Sequence, residues 1–132
     1  MRLVIALLTA GALTLAIVSS VAAAPKDPFK GHWYAIDTDQ SHQTLKLSGH
    51  GPTRTWRFFD DYCTLCGGGT FAGSGLFTIE GVIATFTGTG RSNLTGQILD
   101  MSFWLQDDSA TGTLLWEGIS DPGWVLYRHH PW

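Results

Sequence analysis

Apolar and polar residues alternate along most of this chain. From Gln43 to Ser48 the order Gln-Thr-Leu-Lys-Leu-Ser puts Gln43, Leu45 and Leu47 on one side of an extended segment and Thr44, Lys46 and Ser48 on the other. Further on, Trp56 and Phe58 share one face while Thr55, Arg57 and Phe59 share the opposite one. A two-residue turn at Glu80-Gly81 sets Ile79 opposite Val82, so that Phe77, Ile79, Val82, Ala84 and Phe86 fall on a common face. Leu99, Met101, Phe103 and Leu105 point one way; Asp100, Ser102 and Gln106 point the other, with Trp104 among them. No stretch after residue 29 keeps a helical period, and turn signals recur about every ten residues.

The alternation predicts strands over 32–36, 42–48, 53–59, 70–79, 82–87, 94–105, 111–117 and 124–129. The predicted turns are Asp37 to Gln40, Gly49 to Pro52, Glu80-Gly81, Gly88 to Ser92, Asp107 to Ser109 and Asp121 to Gly123, with a compact loop after Asp60-Asp61. Consecutive antiparallel strands with short links make an eight-stranded antiparallel up-and-down barrel, since closure removes both exposed edges. A two-sheet sandwich is the alternative.

The first residues stand apart from this pattern. Arg2, an apolar run from Leu3 to Val18 and small residues up to Ala24 follow the order of a secretory signal peptide. Residues 1–23 are read as that signal and 24–132 as a single β-barrel domain. Cleavage falls after Ala22 or Ala23 more readily than after Ala24, because Pro25 follows the last of these. The run is short of the roughly 20 residues that cross a bilayer, so no transmembrane segment is expected in the mature chain. The expected location is secreted or extracytoplasmic, in the periplasm or cell envelope.

Removing the signal takes away Arg2 and leaves seven Lys and Arg against eleven Asp and Glu, a formal charge of −4. The basic residues are spread along the sequence without a run or cluster, which argues against nucleic acid and anionic membrane surfaces as partners. Sixteen glycines suggest many tight turns, and six tryptophans suggest a rigid core or an aromatic-lined site.

The segment Gly31-x-Trp33-Tyr34-x-Ile36 resembles the first strand of lipocalins. In that family a basic residue from near the end of the barrel lies across the tryptophan, and the resemblance assigns that part to Arg128 on Trp33. Gly31-x-Trp33 with Ser41 and Leu45 also resembles the first hairpin of avidin-like barrels. A resemblance over more of the chain is to small secreted bacterial β-proteins of unknown function. It is carried by Gly31-His32-Trp33, Asp37 to Leu45, Asp60-Asp61 before Cys66, and Gly123 to Arg128. Where that pattern has glycine in the Asp-Gly turn, this chain has Gln40, which implies a wider turn.

Cys63-x-x-Cys66 is the sharpest chemical feature. A redox motif needs its first cysteine at a helix N-terminus, and three glycines follow here instead. A zinc site needs two further ligands that no second pair supplies. In an exported chain the expected state is a local disulfide, with free or intermolecular thiols as the alternative. Asp37-x-Asp39-x-Ser41 begins like a calcium loop, but His42 and Ser48 occupy the positions that need glycine and a carboxylate. Asp60-Asp61 reads as a solvated strand end, and no nucleophile elbow is present.

No catalytic residue, metal or cofactor is expected, and the protein is not read as an enzyme. The leading expectation is a barrel that holds a small, partly apolar ligand in its mouth, with Trp56, Phe58, Phe77, Phe86, Met101 and Phe103 as its wall. The alternative is a barrel plugged by its own side chains that acts through its surface in envelope or protein contacts.

Overall fold

The computed structural model describes residues 27–108, 113–117 and 122–132, with the side chains of 114–117 and 122–124 excepted. The signal segment with its cleavage positions, Ser109 and Asp121 of two expected turns, and the side chains of Trp116 and Trp124 lie outside the described residues. Strands β1 (Gly31–Ile36), β2 (His42–Ser48), β3 (Thr53–Asp60), β4 (Phe71–Glu80), β5 (Ile83–Ser92) and β6 (Ile98–Asp108) form a curled antiparallel half-barrel sheet. Each strand is hydrogen-bonded to the next in sequence. Two short segments extend the ladder, β7 (Thr113–Glu117) on β6 and β8 (Pro122–Leu126) on β7. A single turn of 3-10 helix at Thr64–Cys66 lies between β3 and β4.

The hydrophobic alternation is what curls the sheet around one side. Trp33 and Ala35 of β1, Leu45 and Leu47 of β2, Trp56 and Phe58 of β3, and Phe77 of β4 are buried together with Ala84, Phe86, Phe103 and Leu105. Their outward neighbours His32, Lys46, Arg57 and Phe59 face solvent. Strand β2 occupies the expected span, and Gln43 is buried beside its two leucines.

Three expectations about β4 to β6 need correction. The β4–β5 hairpin turns at Gly81-Val82, not at Glu80-Gly81, so Glu80 faces Ile83, Ile79 faces Ala84, and Phe77 faces Phe86. This is a two-residue slip, so the common face survives for Phe77, Ile79, Ala84 and Phe86. Val82 leaves it and is exposed at the turn.

Residues 88–92 are not a turn. Gly88 and Gly90 continue β5 and pair with Gly75 and Gly73 of β4. Here glycine serves close packing inside strands: a Cβ on Gly88 would stand 2.7 Å from the Trp56 ring, and one on Gly90 would stand 2.0 Å from that of Phe71. The true turn follows Ser92, which leaves Leu94 exposed and starts β6 at Ile98. At the other end of β6, Asp107 and Asp108 are strand residues.

Similarly, Pro122 and Gly123 belong to β8 rather than to a turn. The Asp37 to Ser41 turn closes through Asp37 N to Ser41 O and Gln40 N to Asp37 O, each 2.9 Å. Gln40 takes the left-handed conformation, φ 70°, at the position where glycine is usual.

Candidate functional site

Five of the six residues expected to line a ligand cavity are buried, and four of them meet. Phe86 lies between Phe77 and Phe103, with ring centroids 4.6 Å away on each side and planes within 11° of parallel. Trp56 meets Phe86 and Phe103 edge-on at 6.3 and 5.6 Å. Its Nε1 donates to the carbonyls of Leu76 and Thr87, both at 3.1 Å, which satisfies the buried indole. Phe58 is set apart from this stack, edge-on to Phe71 at 6.3 Å. Met101 is partly buried against the core, beside the room that Gly73 leaves.

The Trp33 and Arg128 pair is in contact. The Arg128 guanidinium carbon sits 3.8 Å from the Trp33 ring centroid. Its Nη2 donates to Pro28 O at 2.7 Å, and its Nη1 donates to Lys30 O. Burial lowers the Arg128 pKa from its ordinary value, with Asp27 and Asp107 acting the other way. Gly31 makes this approach feasible: at φ 124° it carries no side chain, and a Cβ there would lie 2.7 Å from Arg128 Nη1.

One end of the sheet carries a polar latch. Asp60 is buried rather than solvated, which corrects the reading of Asp60-Asp61 as an exposed strand end. Its carboxylate accepts from Gln43 Nε2 at 3.0 Å and from Tyr62 N at 3.0 Å. Asp61 is exposed; it accepts from His42 N at 2.7 Å and lies 3.3 Å from His42 Nδ1. Asp39 accepts from Ser41 N and from the Thr64 hydroxyl, tying the first hairpin to the cysteine loop. Cys63 and Cys66 stand at disulfide distance, largely buried. Among the described residues, no set of three His, Cys, Asp or Glu side chains gathers as a metal site would require, and no helix is long and apolar enough to cross a membrane.

The outer face holds a feature that the linear sequence hides. A groove of about 640 Å³ crosses β1 to β6, lined by His32, Lys46, Arg57 and Arg91 with Phe59 and Ile98. The basic residues that look scattered in sequence are gathered here by register. His32 faces Lys46, and Lys46 faces Arg57. One pleat further along, Phe59 faces Ala72, and Ala72 faces Arg91. Among the described residues no carboxylate lines the groove; Asp100, opposite Thr89, stands at its edge.

A second group was also invisible to pattern reading. Behind β8 the chain end returns to β1 and β2, where Trp132 stacks on His42 at 4.2 Å and His130 packs on Tyr34 at 3.9 Å. The only sequence signal for it is a run of aromatic and histidine residues at the end.

No family model matches this chain, and neither does any curated protein or solved structure.

Proposed function

We propose that this chain is an exported, non-enzymatic, eight-stranded up-and-down barrel, plugged by its own aromatic side chains, that works through its outer surface. The observation that carries this reading is the sandwiching of Phe86: both of its faces are already covered by Phe77 and Phe103, so the ring at the centre of the stack offers no free face to a ligand. Closure is supported by Tyr34 and Tyr127, which exchange backbone hydrogen bonds of 2.9 and 2.8 Å between β1 and the residue after β8. The Arg128 contact on Trp33 ties the same two parts of the chain, and this is the pairing that the lipocalin-like resemblance implies. Export is supported by the order of residues 1–23 and by the disulfide-distance cysteines.

The test is titration of the mature protein with the neutral apolar fluorophore N-phenylnaphthylamine, followed by tryptophan fluorescence. The expected result is no saturable response.

A ligand in the mouth is the second reading. Leu99 and Met101 are only partly buried, so part of their apolar surface is left uncovered on the inward side of β6. Burial of such surface contributes about 25 cal/mol per Å². A one-to-one response abolished by Ala84→Trp, which fills the interior, establishes this reading and removes the first.

A further inference from the structure

We propose that the outer-face groove over β1 to β6 binds a small amphipathic anion: a carboxylate, sulfate, sulfonate or phosphate group carried on a flat apolar body. The proposal deepens the surface reading and rests on it.

The charge arrangement is the first ground. Arg54 is neutralised by Asp27 at 2.6 Å, and Arg128 is spent on Trp33 and the carbonyls of Pro28 and Lys30. Lys46, Arg57 and Arg91 have no ion pair among the described residues. All three line one groove, on a chain whose formal net charge is −3. Lys46 and Arg57 stand directly opposite each other on neighbouring strands, a placement that destabilises a sheet by mutual repulsion. An anion between them turns that repulsion into attraction, and the guanidinium of Arg57 or Arg91 can meet a carboxylate or sulfonate with two parallel N–H donors.

The apolar lining is the second ground. Phe59 is 45% exposed and Ile98 is 57% exposed, and both sit beside the cations. Between them the wall is low, because Ala72 carries only a methyl group. A flat hydrocarbon or aromatic body can lie there on the Phe59 face with its charged end at Arg57 and Arg91. The volume suits a small molecule. Three cations on a face this short are too few for a nucleic acid backbone.

The experiment uses two probes that share a ring system and differ in charge: anilinonaphthalene sulfonate and neutral N-phenylnaphthylamine. The expected result is one-to-one binding of the sulfonate alone, weakened by salt because the attracting charges are exposed. Arg57→Gln and Arg91→Gln each weaken it roughly tenfold, the loss of one charge-assisted hydrogen bond. Lys30→Gln, outside the groove, leaves it unchanged. Backbone amide shifts on binding map to β3, β4 and β5 at the groove. Unchanged sulfonate affinity in both arginine variants overturns the proposal, as does the absence of sulfonate binding; neither outcome touches the surface reading. Equal binding of both probes, abolished by Ala84→Trp, overturns the groove and the surface reading together.

Discussion

Gly31 is where several local requirements meet. Its φ of 124° suits only a residue without a side chain, and its missing Cβ is the space that Arg128 enters above Trp33. Gly31→Ala is therefore expected to lower stability by about 2 kcal/mol, combining backbone strain with the loss of a cation–π contact. Urea unfolding measures this, and an unchanged midpoint would show that the Arg128 contact is not held by Gly31. Asp60 and Asp39 make the second prediction at this scale. Burial is the main cause that raises the Asp60 carboxyl above its ordinary 3.8. The folded state thus keeps that proton longer than the unfolded state, and this group's contribution to stability falls as pH rises through the carboxylate range. Hydrogen bonds from Ser41 and Thr64 lower Asp39 instead, so its contribution is present above the unfolded value and lost as pH falls. Carboxyl carbon shifts followed by NMR are expected to give a midpoint above 3.8 for Asp60 and below 3.8 for Asp39.

At the scale of elements, β4 and β5 show how composition can mislead. Four glycines face one another in two cross-strand pairs, and they hold the strands close enough for Trp56 and Phe71 to lie over them. Gly88→Ala would put a methyl group 2.2 Å from Ser74 O and 2.7 Å from the Trp56 ring. Overpacking of this kind is expected to cost about 1–3 kcal/mol, read from thermal unfolding. Gly96→Ala, where the space is open and φ is 71°, costs only its left-handed strain, about 1–2 kcal/mol. A loss at Gly88 well below about 1 kcal/mol would mean that the β4–β5 approach is not tight. The cysteine loop is a smaller element with its own measurement. Replacing Cys63 and Cys66 together by serine is expected to lower stability by at most about 2 kcal/mol, since the loop they close is short.

For the whole molecule, the question is whether the last segment completes the wall. Tyr34 and Tyr127 exchange backbone hydrogen bonds at the place where β1 and the chain end meet. If the wall closes, both amides exchange with solvent as slowly as those in the middle of β3 and β4, because an opening there exposes the common core. Exchange as fast as at the Gly49 to Pro52 turn would leave a curled, open sheet. A closed wall also explains why the chain end carries Arg128, His130 and Trp132, each in contact with β1, β2 or the segment leading into them.

The period of two along the chain is a property of neighbouring residues. That is why alternation alone determined the all-β class, the exact span of β2, and the inward face of Leu45, Leu47, Trp56, Phe77, Phe86 and Phe103; the short spacing of Cys63 and Cys66 is likewise local and pointed to their approach. Register is a property of two strands at once. Sequence reading placed the hairpin turn at Glu80-Gly81 because the face is the same whichever of the two turns is used; only packing across the sheet chose Gly81-Val82. Glycine composition signalled turns at 88–92, whereas the rings of Trp56 and Phe71, distant in sequence, required glycine inside a strand. The gathering of Lys46, Arg57 and Arg91, on three separate strands, was decided by tertiary structure alone, because side chains that share no stretch of sequence become neighbours only through strand pairing.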